Sequence, residues 1–247
     1  MIRVCGKTDI GKVRSSNQDD CLFGLTSDGN LAWSVVCDGM GGANGGNVAS
    51  SMAVESISEQ YLHYFEETQK FTDNGLRDLM TSAAYNANIA IYERAAEDTQ
   101  LSGMGTTLVT AIVYDGVAHI AHAGDSRAYL LDSDGIQQIT TDHSMVQEMV
   151  DSGDLTLQQA KNHPQKNIIT RALGVEDQIQ TDYCEITLPQ DWYLLILCTD
   201  GFSNCVEPEV LIDFAKKFQG QDLADQLIEE ANKNGGGDNI TVSIIEN

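Results

Sequence analysis

The sequence predicts an α+β fold in which most strands pair antiparallel. Two long stretches with helical spacing follow one another directly and are then followed by consecutive strand-like segments. A parallel sheet would need strands that alternate with helices, and that alternation is absent. No repeat, low-complexity stretch or linker divides the 247 residues, so we predict one domain over residues 1–247.

Apolar residues at helical spacing predict one helix over about 44–65 and a second over about 74–96, with Thr72 supplying cap chemistry. Another helix is predicted over 222–234, where Gly235 begins a run of three glycines that ends it. The polar residues 141–174 contain short helical pieces and interrupt the strand pattern, so they are predicted to form an inserted excursion. The predicted strands cover 31–37, 106–114, 117–123, 127–131, 136–139, 182–187, 192–198 and 239–245.

Composition excludes several classes of protein. Apolar residues make up 42% of the chain, which is too many for a disordered protein. The 37 acidic and 14 basic residues give a net charge of −23, which argues against nucleic acid or an anionic membrane as the main partner. No apolar run is long enough to span a membrane, and the first residues do not resemble a signal peptide. The six cysteines form no CxxC pair, so they are interpreted as reduced, mostly buried residues.

Aspartates recur beside turn residues or amides, and several directly follow a buried strand. An aspartate at a strand end can point out of the rim of a sheet, and several such ends would create a cluster of negative charge. Carboxylates in a cluster repel one another unless cations neutralise them, and oxygen ligands of this kind suit Mg²⁺ and Mn²⁺. These aspartates are Asp19, Asp38, Asp125, Asp200 and Asp238.

Each Asp-Gly pair also fits an ordinary turn, which is the interpretation given to Asp115-Gly116 and Asp134-Gly135 because strands flank them. Spacing alone therefore leaves convergence on a metal site open. Arg14 lies five residues before Asp19, and its planar guanidinium could hold two phosphate oxygens, but it would also fit a solvated surface. Arg127 is predicted to be an internal ion-pair partner. The five histidines show no HxH or HxxxH pair that would indicate a zinc site.

Several of these segments together resemble the metal-dependent serine/threonine protein phosphatases of type 2C (the PPM family) in their compact bacterial form. Any one of the matching strings is weak, but they stand in the family's order over nearly the whole chain. They are RSSNQD at 14–19, VCDGMGG at 36–42, GMGTT at 103–107, AGDSRAY at 123–129, TDHS at 141–144, HP at 163–164, ITRALG at 169–174, CTDG at 198–201 and DNITV at 238–242.

The resemblance implies a β-sandwich of two antiparallel sheets flanked by helix pairs, with a two-metal centre at one end. In this reading Asp38 bridges two Mn²⁺ or Mg²⁺ ions and the Gly39 carbonyl binds one of them. Asp200 and Asp238 bind the other, and Asp19 lies at the edge of the site. Asp125 together with Asp200 matches a third metal position of bacterial members.

The same resemblance implies the chemistry. Arg14 would hold the phosphate of a phosphoserine or phosphothreonine, and a metal-bridged water would attack phosphorus in line. Residues 141–174 correspond to the family's mobile flap. Phosphorylated proteins, including a bacterial Ser/Thr kinase, are the implied substrates, and the cytoplasm is the implied location. The sequence leaves the oligomeric state open, and a monomer is taken as the default.

Two positions depart from the family's pattern. Ala43 stands where bacterial members often carry histidine, and Gln18 where many carry glutamate. The Ala43 departure keeps one alternative open, a catalytically weak module of the same fold that regulates a partner by binding. A two-metal nuclease would also use such carboxylates, but the 14 basic residues include no run that could follow a nucleic-acid backbone.

Overall fold

The computed structural model describes residues 2–41, 45–68 and 70–247. These residues form two antiparallel sheets that pack face to face, with helices on both outer faces, so the predicted α+β sandwich is confirmed. Within the described residues, no helix is both long and apolar enough to cross a membrane.

The first sheet contains both ends of the chain. Its strand order is β1-β11-β10-β7-β8, and every neighbouring pair is antiparallel. The strands are β1 (Arg3–Asp9), β7 (Arg127–Asp132), β8 (Gly135–Gln138), β10 (Leu194–Cys198) and β11 (Ile240–Glu246).

The second sheet has the order β2-β3-β5-β6-β9, and a short strand, β4, pairs with the end of β3. The predicted strand over 106–114 is interrupted at Thr107, whose backbone N–H donates to the carbonyl of Asp38 instead of continuing the regular ladder. The strands are β2 (Asp19–Leu25), β3 (Leu31–Met40), β4 (Gly105–Thr106), β5 (Leu108–Tyr114), β6 (Val117–Ala123) and β9 (Asp182–Thr187).

Two long helices, α1 (Gly46–Glu67) and α2 (Asp73–Glu97), cover the outer face of the second sheet. The opposite outer face is covered mainly by α7 (Gly220–Lys233), with the short helices α5 (Asp200–Ser203) and α6 (Pro208–Ala215) beside it. The inserted residues 141–174, called the flap below, contain α3 (Met145–Asp151) and α4 (Leu157–Lys161).

Strand β3 shows why the sandwich forms. Its residues 31–37 are all buried, and alternate side chains enter different cores. Trp33 and Val35 pack under the helices, whereas Ala32 and Val36 pack between the sheets. Because both of its faces are covered, this strand has a continuous apolar pattern instead of an alternating one.

Four elements were not predicted from the sequence pattern: β1, β2, α5 and α6. Strands β1 and β2 contain charged and glycine residues and are only partly buried, so they lack a clear period-two pattern. The predicted start of the strand at Trp192 is wrong, because β10 begins at Leu194 and Trp192 is partly exposed. All six cysteines are free; Cys5, Cys37 and Cys198 are buried, and the other three are only partly buried.

Candidate functional site

Both sheets bring acidic residues to one end of the sandwich. Asp19 opens β2 and Asp38 lies near the end of β3, in direct register with it. Asp200 follows β10, and Asp238 precedes the adjacent antiparallel strand β11, so both lie at the same end. Asp125 lies in the short connection where the chain passes from β6 in one sheet to β7 in the other.

Asp19 is oriented by two threonine hydroxyls. Thr199 and Thr241 each donate a hydrogen bond of 2.8 Å to its Oδ2. Its Oδ1 is buried and has no hydrogen-bond partner among the described residues. A buried carboxylate oxygen without a partner is costly, so this atom fits the ligand of a hard cation.

The carboxylates also raise one another's pKa values. Burial, together with the nearby charge of Asp200, raises the pKa of Asp19 and that of Asp125 to about 7. Burial and the charges of Asp19, Asp200, Asp125 and Asp238 raise the pKa of Asp38 well above its usual range. Such a cluster ionises fully only when cations neutralise it, so the residues present fit a divalent-metal centre.

Arg14 lies at the open side of this cluster, in the loop between β1 and β2. Its Nη2 donates to Asp238 Oδ2 at 2.7 Å, and about half of its side chain is exposed. The bond and the surrounding carboxylates raise the pKa of the guanidinium, which therefore stays charged. A guanidinium has five N–H donors, so Arg14 can contact Asp238 and an anion together.

Two glycines let backbone segments meet at the site. A Cβ on Gly39 would collide with the carbonyl of Gly46 at the start of α1, and one on Gly201 would collide with the carbonyl of Asn239. The glycines that follow Asp38 and Asp200 are therefore required for close packing of the backbone. This requirement is a reason for these two Asp-Gly pairs besides an ordinary turn.

The acids surround a cavity of about 530 Å³. Its walls include Asn167 and Ile169 of the flap, and Asp19 lies beneath its surface. The structure thus brings together every residue that the sequence analysis named for the site. Those lining the cavity are Arg14, Asp38, Gly39, Asp125, Asp200 and Asp238.

Sequence reasoning missed the hydroxyls that hold the acids. Thr199 directly precedes Asp200 and Thr241 lies in the last strand, so their positions gave some indication. Thr107 accepts the backbone N–H of Asp38 at 2.9 Å and shares a 2.7 Å hydrogen bond with Ser126. The interruption between β4 and β5 is therefore part of the site's construction.

Sequence reasoning also missed a cluster of His122, His143 and Asp182, whose ligand atoms lie within 4.8 Å of one another. His143 Nδ1 accepts the backbone N–H of Gly124, so its Nε2 carries the proton and faces Asp182 at 3.3 Å. A metal ion at Nε2 of His143 would have to displace this proton, and Nδ1 could not take it up because Nδ1 already accepts the N–H of Gly124. The cluster instead fixes the residue before Asp125.

The predicted ion pair of Arg127 is present, since its guanidinium contacts both carboxylate oxygens of Asp142, at 2.8 and 2.7 Å. The turn at Asp115-Gly116 also agrees with prediction, because both residues have positive φ and connect β5 to β6. Ala43 lies outside the described residues. Gln18 lines the cavity, and its backbone N–H donates to Asn239 at 2.8 Å.

The chain resembles known phosphatases over nearly its whole length. It is 38% identical over 241 residues to the serine/threonine phosphatase stp of Listeria welshimeri. The aligned residues cover 97% of this chain and 94% of the relative. The Streptococcus agalactiae serine/threonine phosphatase superposes with a TM-score of 0.90 and 32% identity, covering 99% of both chains. The catalytic domain of the serine/threonine protein phosphatase PstP, solved in complex with 2 manganese ions, has a TM-score of 0.84 and 29% identity, covering 99% of this chain and 97% of that one.

The family described as protein phosphatase 2C matches residues 6–232, a range that includes the cavity-lining residues from Arg14 to Asp200 and ends before Asp238 and Asn239. Since that match extends over both sheets and the relatives cover almost the entire chain, this chain belongs to the protein phosphatase 2C family.

Proposed function

We propose that this chain is a metal-dependent phosphatase that hydrolyses phosphoserine and phosphothreonine in proteins. The observation that carries the proposal is the convergence of four carboxylates in one cavity below Arg14, with the buried carboxylate of Asp19 beneath them. The relatives named serine/threonine phosphatases support the substrate class.

We further propose that the cavity holds two Mn²⁺ or Mg²⁺ ions. Asp38 and the Gly39 carbonyl are the proposed ligands of one ion, and Asp38, Asp200 and Asp238 those of the other. Asp19 is the ligand at the edge, and Asp125 with Asp200 is the candidate for a third position. When bound, such ions supply a nucleophile at neutral pH and offset charge on the phosphoryl oxygens.

The chain's own residues supply binding and orientation. Arg14 binds two oxygens of the phosphate and holds it at the mouth of the cavity. Asp38 is held from both sides, because its backbone N–H donates to Thr107 and its carbonyl accepts from Thr106 Oγ1 at 2.9 Å. Fixing these groups before substrate binds removes reorganisation from the chemical step.

Several wider features belong to the same proposal. Residues 1–247 form a single phosphatase domain whose flap over 141–174 borders the substrate. Its substrates are phosphorylated proteins, among them a Ser/Thr kinase, and the enzyme acts as a monomer in the cytoplasm. The net charge of −23 supports a partner other than nucleic acid.

Phosphate release from a phosphothreonine peptide tests the function, measured with Mn²⁺ and again with excess EDTA. Release that requires the metal is the expected result. Folded protein that binds the peptide but releases no phosphate under either condition would favour the regulatory binding module instead.

A further inference from the structure

A second groove lies beside the carboxylate cavity. It has a volume of about 410 Å³ and shares the lining residues Met40 and Ile169 with the cavity, so the two adjoin each other. One wall is the end of the flap, and the other is the segment that follows it. A polypeptide whose phosphorylated side chain enters the cavity must leave along a neighbouring surface, and this groove is one that adjoins it.

The walls of the groove are held in place by the rest of the fold. Ile169 pairs with Ser144 in a bridge within the flap. Buried Asn88 of α2 accepts the N–H of Gly174 at 2.8 Å and donates to the carbonyl of Glu176 at 3.0 Å. A preformed groove binds a chain with less loss of conformational entropy than one that must first become ordered.

The floor of the groove is apolar. Met40, Val175 and Ile179 contribute to it, and Ile179 packs against the core beneath α1 and α2. Gly105 makes room for this packing, because a Cβ there would lie 2.8 Å from Val175 Cγ2. Val175 is 52% exposed, so its side chain remains available to a ligand.

The rim of the groove has one negative charge that the fold leaves unpaired. Arg171 also lines the groove, but its guanidinium contacts Asp182 at 2.7 Å. Glu176 is exposed, and in the described part of the chain no lysine or arginine forms an ion pair with it. The groove therefore favours an apolar side chain accompanied by a cation.

We propose that this groove binds the substrate polypeptide next to the phosphorylated residue. It takes an apolar side chain against Val175 and Ile179, and a lysine or arginine opposite Glu176. The proposal rests on the proposed function and adds a preference for basic, partly apolar sequence beside the phosphorylated residue.

Phosphothreonine peptides that carry either lysine or glutamate near the phosphothreonine, on each side in turn, test the charge. With Mn²⁺ present, kcat/KM of the natural chain should favour the lysine peptide roughly 3–10-fold on one side of the phosphothreonine. Glu176→Lys should bring this ratio to about one or below. Asp177→Lys, the same charge change at the adjacent exposed residue, which does not line the groove, should leave the ratio largely unchanged.

The apolar contact is tested with peptides that differ in leucine or serine at the neighbouring positions. Val175→Asn should reduce the preference for leucine, whereas Leu62→Asn, at an exposed position on α1, should not.

The charge experiment has an outcome that would overturn the proposal. If Glu176→Lys and Asp177→Lys changed the preference for the lysine peptide equally, only the general surface charge would act.

Phenyl phosphate separates this proposal from the proposed function, because it is too small to occupy the groove. All four variants should hydrolyse it at the rate of the natural chain. If the natural chain hydrolyses phenyl phosphate but shows no peptide preference on either side, the groove proposal alone fails. If the natural chain hydrolyses neither phenyl phosphate nor the phosphothreonine peptides with Mn²⁺, the proposed function fails and the groove proposal fails with it.

Discussion

Asp19 and Asp38 lie directly opposite each other in the antiparallel pair of β2 and β3. Opposed residues of such a pair project from the same face of the sheet, so the register itself brings the two carboxylates together. A shift of one residue would turn one of them to the other face. The pairing of these two strands therefore brings together two of the five carboxylates of the proposed metal centre without the help of a loop.

Asp38→Asn should abolish turnover, because the charges around Asp38 identify it as the most central carboxylate of the cluster. We expect kcat with Mn²⁺ to fall by about a thousandfold or more, the scale seen when a group that stabilises the transition state is removed. Phosphate release from a phosphothreonine peptide is the measurement. Asp134→Asn, a matched change in an exposed turn, should retain full activity. Near-normal turnover of Asp38→Asn would refute the assignment.

Thr241→Val should weaken metal binding through Asp19. The hydroxyl donates to Asp19 Oδ2, and its loss frees the carboxylate to rotate away from the orientation in which Oδ1 faces the site. Residues that orient metal ligands change affinity by roughly 10–100-fold when they are replaced. Calorimetric titration of the metal-free protein with Mn²⁺ would measure this change.

Thr110→Val is the matched control for that experiment. Thr110 is equally buried and also donates a hydrogen bond, at 2.8 Å to the carbonyl of Ser34, but it lies away from the site. Both variants should lose similar stability, and only Thr241→Val should lose Mn²⁺ affinity. Equal affinities in the two variants would show that the threonine has a purely structural role.

Much of the sandwich could be predicted because its central strands are buried on both faces and therefore have strong apolar patterns. Strands β1 and β2 could not, since their exposed and charged positions hide the period of two. Yet β2 begins with Asp19, so the pairing that brings Asp19 to Asp38 could not be predicted by pattern alone.

The candidate site shows a similar division. Its acids could be predicted from their places beside turns and from the ordered motifs. For hydroxyl partners such as Thr199 and Thr241, only their positions were visible in the sequence, directly before Asp200 and in the last strand, because a threonine gives no local sign of which group its hydroxyl contacts. The cluster of His122, His143 and Asp182 was also missed, because its members are distant in sequence and meet only through tertiary packing.

Arg14→Ala should weaken phosphate binding and leave metal binding largely intact. Loss of charge-assisted hydrogen bonds to a phosphate costs about 2 kcal/mol, or roughly a 30-fold decrease in kcat/KM. Steady-state kinetics with phenyl phosphate would measure the decrease, and a Mn²⁺ titration would show whether Asp238 still functions without its partner. Arg14→Lys should recover only part of the loss, because an ammonium group lacks the planar fork.

A comparison at a second arginine makes this result specific. Arg94 forms an exposed ion pair with Asp98 at the end of α2 and does not line the cavity. Arg94→Ala should therefore leave kcat/KM unchanged. If Arg14→Ala also left kcat/KM unchanged, Arg14 would be a surface residue that merely neutralises Asp238.

Without metal, the protein should become less stable as the pH rises. The pKa values of Asp19 and Asp125 are raised to about 7 in the folded chain, so folded protein holds more protons than unfolded protein between about pH 4 and 7. The free energy of unfolding then falls as the pH increases through that window, and the raised pKa of Asp38 adds to the fall. We expect a decrease of a few kcal/mol, or roughly 5–10 °C in Tm, between pH 5 and pH 8 in EDTA.

Mn²⁺ should reverse this dependence, because cations favour the ionised carboxylates and their binding releases protons. Thermal unfolding at pH 5, 6, 7 and 8, with EDTA and with excess Mn²⁺, would measure both curves, and the gap between them should widen as the pH rises. Asp125→Asn should flatten the EDTA curve, since it removes one of the groups whose pKa is raised to about 7. Parallel curves with and without Mn²⁺ would mean that cations do not bind the acidic cluster, and would contradict the proposed metal centre itself.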